Sequence, residues 1–283
     1  MLRRSAIIVW FLLDGLLGLA SSGWAGGPDS GAEVDRVLEA AQMEAQLAGF
    51  AATLVAGYGR HAAALPPSAA EAFLGHARAA HDPAILYPVF RAAFAEAFPV
   101  AHAEAVVAWF ASPVGQRVSA AEMSALGPDA AAAFQAYVPT LLALPEGRKA
   151  LVRDYLAVTG AEEHAATLVT VPLRLYAGAL REGIPEAGRG EDADDAGRTA
   201  AMEREAVAHY LAMMPAATAF TFRNLSDDDL RAMLAFYGSP AGKALVDASW
   251  AGTGAALRAA AADLGGKAAD LLRRYAAPLA PGE

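Results

Sequence analysis

The segment Leu225–Val246 constrains the fold most strongly, because its pattern predicts two helices that meet at a tight corner. Ser226 is a good N-cap, and Asp229 three residues later completes the S-x-x-D pattern of a capping box. Apolar residues then recur at helical spacing from Leu230 to Tyr237, which predicts a helix with one buried face.

The residues after this helix predict an immediate change of direction. Ser239 can cap a second helix, and Pro240 occupies its first position, where a missing N–H costs nothing. Gly242 has no side chain, so we expect a neighbouring helix to approach it closely. The paired rings of Phe236 and Tyr237 are expected to anchor the corner in the core. These residues therefore predict an architectural motif.

The same pattern occurs earlier, in Val106–Val118, at an offset of 127 residues. The corresponding residues are Trp109 and Phe236, Phe110 and Tyr237, Ser112 and Ser239, Pro113 and Pro240, and Gly115 and Gly242. A second match, of Ala51–Val55 with Ala165–Val169, has an offset of 114 residues, and the polar insert at 186–198 accounts for the difference. We therefore predict two related helical units, at residues 30–144 and 145–276.

The corner motif resembles the signature of a bacterial family, the domain of unknown function 2059. The residues that carry the resemblance are Asp228, Leu230, Phe236, Tyr237, Ser239, Pro240, Gly242 and Lys243. The first copy is degenerate, since Trp109-Phe110 replaces Phe-Tyr and the acidic cap is absent. The resemblance implies an exported, predominantly helical protein, and it brings no catalytic residues.

Composition narrows the fold class and the kinds of partner. Alanine is abundant and the strand-forming residues isoleucine, threonine and tyrosine are sparse, which favours an all-α bundle or irregular superhelix. There is no cysteine, which excludes disulfides and thiolate metal sites. The net charge of −9 without a long basic run argues against a nucleic-acid partner.

The N-terminus is typical of a secretory signal peptide at residues 1–25. Arg3 and Arg4 precede an apolar run that is too short for a membrane span and that Asp14 interrupts. Gly23 and Ala25 supply small residues at −3 and −1, so we expect cleavage after Ala25 and a periplasmic or secreted protein without a membrane span. Because Asp14 is unusual in an apolar leader, an uncleaved anchor is the alternative.

Further boundaries follow from helix breakers and apolar spacing. We predict one helix from Ser30 to about Arg60, and another from Thr199 to Met214. The acidic insert at 186–198 is predicted to be disordered, and 277–283 to be a tail. The last helix, Ala255–Tyr275, is predicted to break at Gly265-Gly266.

Catalytic and metal-binding patterns are weak in this sequence. None of the six histidines forms H-E-x-x-H or an i, i+4 pair, so we predict no metal site. A partial calcium-binding loop places Asp192, Asp194, Gly197 and Glu203 at positions 1, 3, 6 and 12, but Ala196 occupies position 5, where a ligand is needed. We predict no enzyme activity and no cofactor, and calcium binding by the insert stays an open alternative.

These observations leave two hypotheses of function. The first is a non-enzymatic exported helical protein with a structural or interaction role and an unidentified protein partner. The second is a carrier of a lipid or another apolar small molecule in a groove between the two units. An enclosed apolar cavity between the units would favour the carrier.

Overall fold

The computed structural model describes residues 28–63, 65–127, 129–164, 169–170, 174 and 192–276. Throughout these ranges every regular element is helical and no strand occurs, which confirms the all-α prediction. The predicted signal peptide at 1–25, the tail at 277–283 and the first part of the insert lie outside the described residues.

Eleven α-helices are assigned within these ranges. They are α1 (Pro28–Ala40), α2 (Met43–Ala62), α3 (Pro67–Ala80), α4 (Pro83–Ala97), α5 (Ala103–Ala111), α6 (Pro113–Ala125), α7 (Ala130–Tyr137), α8 (Glu146–Val158), α9 (Asp192–Thr221), α10 (Asp227–Tyr237) and α11 (Pro240–Ala276). Two 3-10 helices, Val100–His102 and Val138–Ala143, connect α4 to α5 and follow α7.

The N-terminal helical stretch is divided, and the prediction of one continuous helix from Ser30 to about Arg60 was wrong. Gln42 has a backbone φ of 53°, in the left-handed region, and it separates α1 from α2. The side-chain amide of Gln46 donates to the carbonyl of Ala41 at 2.9 Å and so caps the end of the first segment. Val37 and Ala41 are fully buried, so tertiary packing holds this turn in place.

Two other helices are longer than predicted. The helix α9 begins at Asp192, inside the segment predicted to be a disordered insert, and it continues through Pro215 to Thr221. The helix α11 runs without a break through Gly265-Gly266, so the predicted interruption there was wrong. Leu264 and Ala268 on either side of the glycines are buried in a cluster with Phe73 of α3, and this packing keeps the helix continuous.

The main core draws on both predicted units. The longest helix, α11, lies along α4 and also packs against α3. At Gly252 the two helices are so close that an added Cβ would lie 2.7 Å from Cδ2 of Phe90. Phe94 and Val106 from the first unit and Tyr237 and Trp250 from the second are all buried in the same cluster. One apolar interior therefore spans residues 34–260.

Among the described residues, no single helix has the length and apolar character needed to cross a membrane. One bent pair, Pro67–Ala97 with Val100–Ala111 at 92°, meets the criterion by length and composition. Its rings Phe90 and Phe94 are buried in the main core.

Candidate functional site

The corner between α5 and α6 is closed by hydrogen bonds from its own residues. The Ser112 hydroxyl accepts from the backbone N–H of Gly115 at 3.0 Å, as an N-cap does. The backbone N–H of Ser112 donates to the carbonyl of Trp109 at 2.9 Å. Pro113 fills the first position of α6, where its missing N–H is not needed.

The corner between α10 and α11 repeats this geometry. The Ser239 hydroxyl accepts from the N–H of Gly242 at 3.1 Å, and the N–H of Ser239 donates to the carbonyl of Phe236 at 2.9 Å. Pro240 is the first residue of α11. The predicted capping box is present at the other end of α10, where Asp229 N–H donates to the Ser226 hydroxyl at 3.1 Å.

The two motif glycines serve the corner itself. A Cβ at Gly115 would overlap the carbonyl oxygen of Trp109, and a Cβ at Gly242 would overlap that of Phe236. The sequence predicted a close approach at Gly242 by a neighbouring helix, and the close neighbour is in fact the end of the preceding helix of the same corner. Glycine is required because the two helices turn within a few residues of each other.

The two corners contact each other through equivalent aromatic residues. Trp109 and Phe236 stack face to face, with ring centroids 4.6 Å apart and ring planes 5° apart. Phe110 packs edge-on against Phe236 at 6.4 Å. Phe110 and Tyr237 are buried at 6% and 2% exposure. Trp109 and Phe236 themselves are only partly buried, and they pack against the edge of the main core.

An ion pair between α6 and α10 reinforces this contact. The guanidinium of Arg117 donates from Nε to Oδ2 of Asp229 at 3.2 Å and from Nη2 to Oδ1. These hydrogen bonds hold the pKa of the Asp229 carboxyl below its usual value, against the opposing effect of burial. No sequence pattern indicates this pair, because its residues lie 112 positions apart.

A buried arginine fixes the segment before α10. Arg148 of α8 is 8% exposed and donates to Asp227 Oδ1 at 2.8 Å and to the carbonyl of Phe222. A charged donor to a buried carbonyl is one of the stronger hydrogen bonds of a protein. Sequence reasoning missed Arg148, because a single arginine in a helix is most often a surface residue.

A cavity of about 90 Å³ lies behind the two corners. Its lining comes from both halves of the chain and includes Phe110 of α5, Glu122 of α6, Tyr155 of α8, Thr218 of α9 and Ser249 of α11. Tyr155 packs edge-on against Phe222 at 5.0 Å and against Tyr237 at 5.8 Å, so three aromatic rings form one wall.

Two buried hydroxyls also line the cavity. Thr218 and Ser249 are 1% and 3% exposed, and their hydroxyl oxygens have no hydrogen-bond partner among the described residues. Of the described residues that line the cavity, Glu122 is the only charged one. No sequence pattern marks these residues, since single threonine and serine residues in helices form no motif.

The remaining titratable candidates are histidines. Among the histidine side chains that the structure describes, two are buried. His164 packs on Trp250 at 4.5 Å, and burial lowers its pKa to about 4. Burial also lowers the pKa of His81, whose ring contacts Tyr58 at 5.4 Å. No cluster of three or more His, Asp or Glu suited to a metal occurs in the part of the chain that the structure describes.

The partial calcium-binding loop is not a loop. Residues 192–203 all lie within the helix α9, whereas a calcium loop must wrap its backbone around the ion. Glu203, which would supply the last ligand, is instead paired with Arg174 at 2.9 Å, and this hydrogen bond lowers the pKa of its carboxyl. The partial calcium pattern therefore lies on a helical backbone, without the loop that would wrap around an ion.

Comparison with known proteins identifies one family. Residues 212–271 match the family model described as an uncharacterized protein conserved in bacteria (DUF2059), which confirms the resemblance drawn from the corner motif. The matched residues include α10, the second corner and most of α11, and the first corner lies outside them. Neither the curated proteins nor the solved structures gave a match to the chain.

Proposed function

We propose that this chain is a non-enzymatic helical protein, exported to the periplasm or secreted, that acts as a structural or interaction module for a protein partner. The observation that carries the proposal is the contact between the corners, in which Trp109 stacks on Phe236 at 4.6 Å. Because the motif side chains pack against each other, the motif fixes the shape of the module. A protein partner is then expected to bind to the outer surface of the helices.

Matching geometry in the two corners supports a duplicated origin for the two units. Each corner uses the same serine cap, the same proline position and the same glycine contact with the preceding carbonyl. Buried positions also correspond at the offset of 127 residues: Ala103 and Leu230, Val106 and Met233, and Val118 and Leu245. Both units contribute buried residues to the same apolar cluster.

The size of the cavity argues against a lipid cargo. Pockets for small molecules typically have volumes of about 300–1,000 Å³, whereas this cavity has about 90 Å³. Hydroxyl oxygens of Thr218 and Ser249 at its wall would also be buried against an acyl chain without partners. We therefore do not propose the carrier of apolar molecules.

Export is tested by expressing the full chain with its own leader in a bacterial host. The expected product is periplasmic, and its intact mass corresponds to a chain that begins at Gly26. The matched control is Ala25→Leu, which places a large residue at −1 and is expected to block cleavage while leaving the rest of the chain unchanged. A chain that stays in the cytoplasm with its leader contradicts the proposal.

The role of the module is tested by native mass spectrometry and by cross-linking in intact cells. The expected result is a protein without bound lipid that forms a cross-linked complex of defined mass. Trp109→Leu and Phe236→Leu are expected to lower the melting temperature and the yield of that complex together, because both depend on the folded corner. Loss of the complex with an unchanged melting temperature would instead place the rings in a binding site and overturn the architectural role.

A further inference from the structure

We propose that the cavity behind the two corners binds a small neutral alcohol, such as ethanol or propanol, through its hydroxyl group. Helices of both units supply the lining of this cavity. The site is separate from the outer surface on which a protein partner is expected to bind, so the alcohol site and the interaction module can be tested independently.

The volume of the cavity limits the size of its occupant. One water molecule occupies about 30 Å³ in the liquid, so a cavity of about 90 Å³ has room for about three waters. An engineered apolar cavity of about 150 Å³ accommodates benzene, a ring of six carbon atoms. By the same proportion, this cavity accommodates a molecule of about three or four heavy atoms.

Two buried hydroxyls at the cavity wall require a hydrogen-bonding group in the occupant. The side-chain oxygens of Thr218 and Ser249 are fully buried and have no hydrogen-bond partner among the described residues. Most buried polar groups in proteins are hydrogen-bonded, and a purely apolar occupant would leave both oxygens unsatisfied. An alcohol hydroxyl donates one hydrogen bond and accepts up to two, so a single oxygen can pair with both side chains.

The rest of the lining suits an alkyl group better than a cluster of waters. Rings and aliphatic side chains, such as Phe90, Phe222 and Leu245, form most of the described lining. A buried water typically makes about three hydrogen bonds, and a cavity filled with waters would lack partners for them along these side chains. One hydroxyl with a short alkyl chain instead places its polar atom at the hydroxyls and its methylene groups against the rings.

The charge of the lining favours a neutral occupant. The described lining residues include no lysine, arginine or histidine. Their one carboxylate, Glu122, already has an interaction partner within the fold. An ammonium ion or a carboxylate ligand would therefore find no unpaired counter-charge among these residues, and burial of an unpaired ion is costly.

Three probes define the size and charge that the cavity accepts. Ethanol matches both, ethylammonium has the same number of heavy atoms with a positive charge, and cyclohexanol carries the same hydroxyl on a ring too large for the cavity. Each is titrated against the full mature chain by saturation-transfer NMR. We expect saturable binding of ethanol with a millimolar dissociation constant, since a ligand of so few atoms has little binding energy. Ethylammonium and cyclohexanol are expected to bind at least tenfold more weakly.

Variants of the lining assign the binding to this cavity. The double variant Thr218→Val, Ser249→Ala removes both hydroxyls with little change in shape, and it is expected to raise the dissociation constant of ethanol at least tenfold. Each single variant is expected to raise it several-fold. Because the lost hydroxyls have no hydrogen-bond partner in the described part of the chain, these variants are expected to fold at least as stably as the parent.

Ser119→Ala is the matched control. It also removes a buried hydroxyl that has no hydrogen-bond partner among the described residues, but Ser119 is not among the described residues that line the cavity. It is expected to leave the dissociation constant of ethanol unchanged.

Two kinds of result overturn the proposal. If ethanol shows no saturable binding, the cavity holds water only. If ethylammonium or cyclohexanol binds as tightly as ethanol, or the double variant binds ethanol as the parent does, the alcohol binds elsewhere on the protein. Neither result affects the interaction module, whose partner is detected by cross-linking.

Discussion

Gly115 and Gly242 occupy positions where a methyl group would meet a backbone carbonyl of the preceding helix. A backbone atom cannot move aside as a flexible side chain can, so the helices of the corner would have to separate. The serine cap and the ring stack both require the present short distance between these helices. The absence of a Cβ at each glycine thus allows the close helix contact on which the rest of the corner depends.

Substitution of these glycines tests the point directly. Gly242→Ala is expected to lower the free energy of unfolding by about 1–3 kcal/mol or more, since overpacking strains the backbone. The matched control is Gly75→Ala in α3, where nothing lies within 4 Å of the added Cβ. That control is expected to be neutral or to stabilise the protein by up to about 1 kcal/mol, because alanine favours helix. Urea unfolding of both variants provides the measurement, and a neutral Gly242→Ala would contradict the assigned contact.

His164 is expected to make stability depend on pH. Its pKa is about 4 in the folded protein and about 6.5 when unfolded, so the unfolded chain binds more protons between these values. The contribution of His164 to the free energy of unfolding is therefore fully present above about pH 6.5, and it is lost as the pH is lowered from about 6.5 toward 4. Because the slope reaches about 1.4 kcal/mol per pH unit only below pH 6.5, the loss between pH 6.5 and pH 5 is about 1–2 kcal/mol.

The measurement compares unfolding at pH 7.5 and pH 5 in the parent and in His164→Leu. The variant is expected to lose less stability on acidification, whatever its stability at pH 7.5. His209→Gln, which changes an exposed histidine of α9, serves as the control and should behave as the parent. Equal acid sensitivity in His164→Leu and the parent would show that other groups are responsible.

The helices differ in how much of their structure local sequence determines. The cap at Ser226 and the turns at Ser112-Pro113 and Ser239-Pro240 were predictable, because each depends on residues only a few positions apart. The turn at Gln42 was not, since it depends on the burial of Val37 and Ala41 by distant helices.

Distant packing also decided the elements whose prediction failed. Two adjacent glycines at 265–266 usually weaken a helix, yet α11 continues because Leu264 and Ala268 pack against α3. The hydroxyls of Thr218 and Ser249 face one cavity although they are 31 positions apart, and no local pattern marks them. Tertiary contacts therefore determine both the lining of the cavity and the continuity of α11, which local sequence patterns do not predict.

The stack between Trp109 and Phe236 joins the two corners, and a double-mutant cycle measures its strength. Trp109→Leu and Phe236→Leu are each expected to destabilise the fold, and the double variant by less than their sum. The coupling expected for such an aromatic pair is about 0.5–1.5 kcal/mol. The pair Trp109→Leu and Phe73→Leu is the control, since Phe73 belongs to a separate apolar cluster and should show little coupling. Additive effects at the stacked pair would contradict the contact.

The molecule as a whole is expected to unfold in one step, because both halves contribute to a single interior. Calorimetry of the mature chain should give one transition, with equal calorimetric and van't Hoff enthalpies. A fragment of residues 30–144 should show no cooperative transition, since it lacks the α11 surface against which α4 packs. Two separate transitions would show instead that the predicted units fold independently.

The position of α11 also has a consequence for biosynthesis. The faces of α3 and α4 are covered by a helix that ends at Ala276, long after the ribosome has completed residues 67–97. Until that helix is made, Phe73, Phe90 and Phe94 have only the partial cover that α2 and neighbouring rings provide, and incompletely covered apolar surfaces attract other unfolded chains. Association of incomplete chains is therefore expected to compete with folding until α11 is available to pack on α3 and α4.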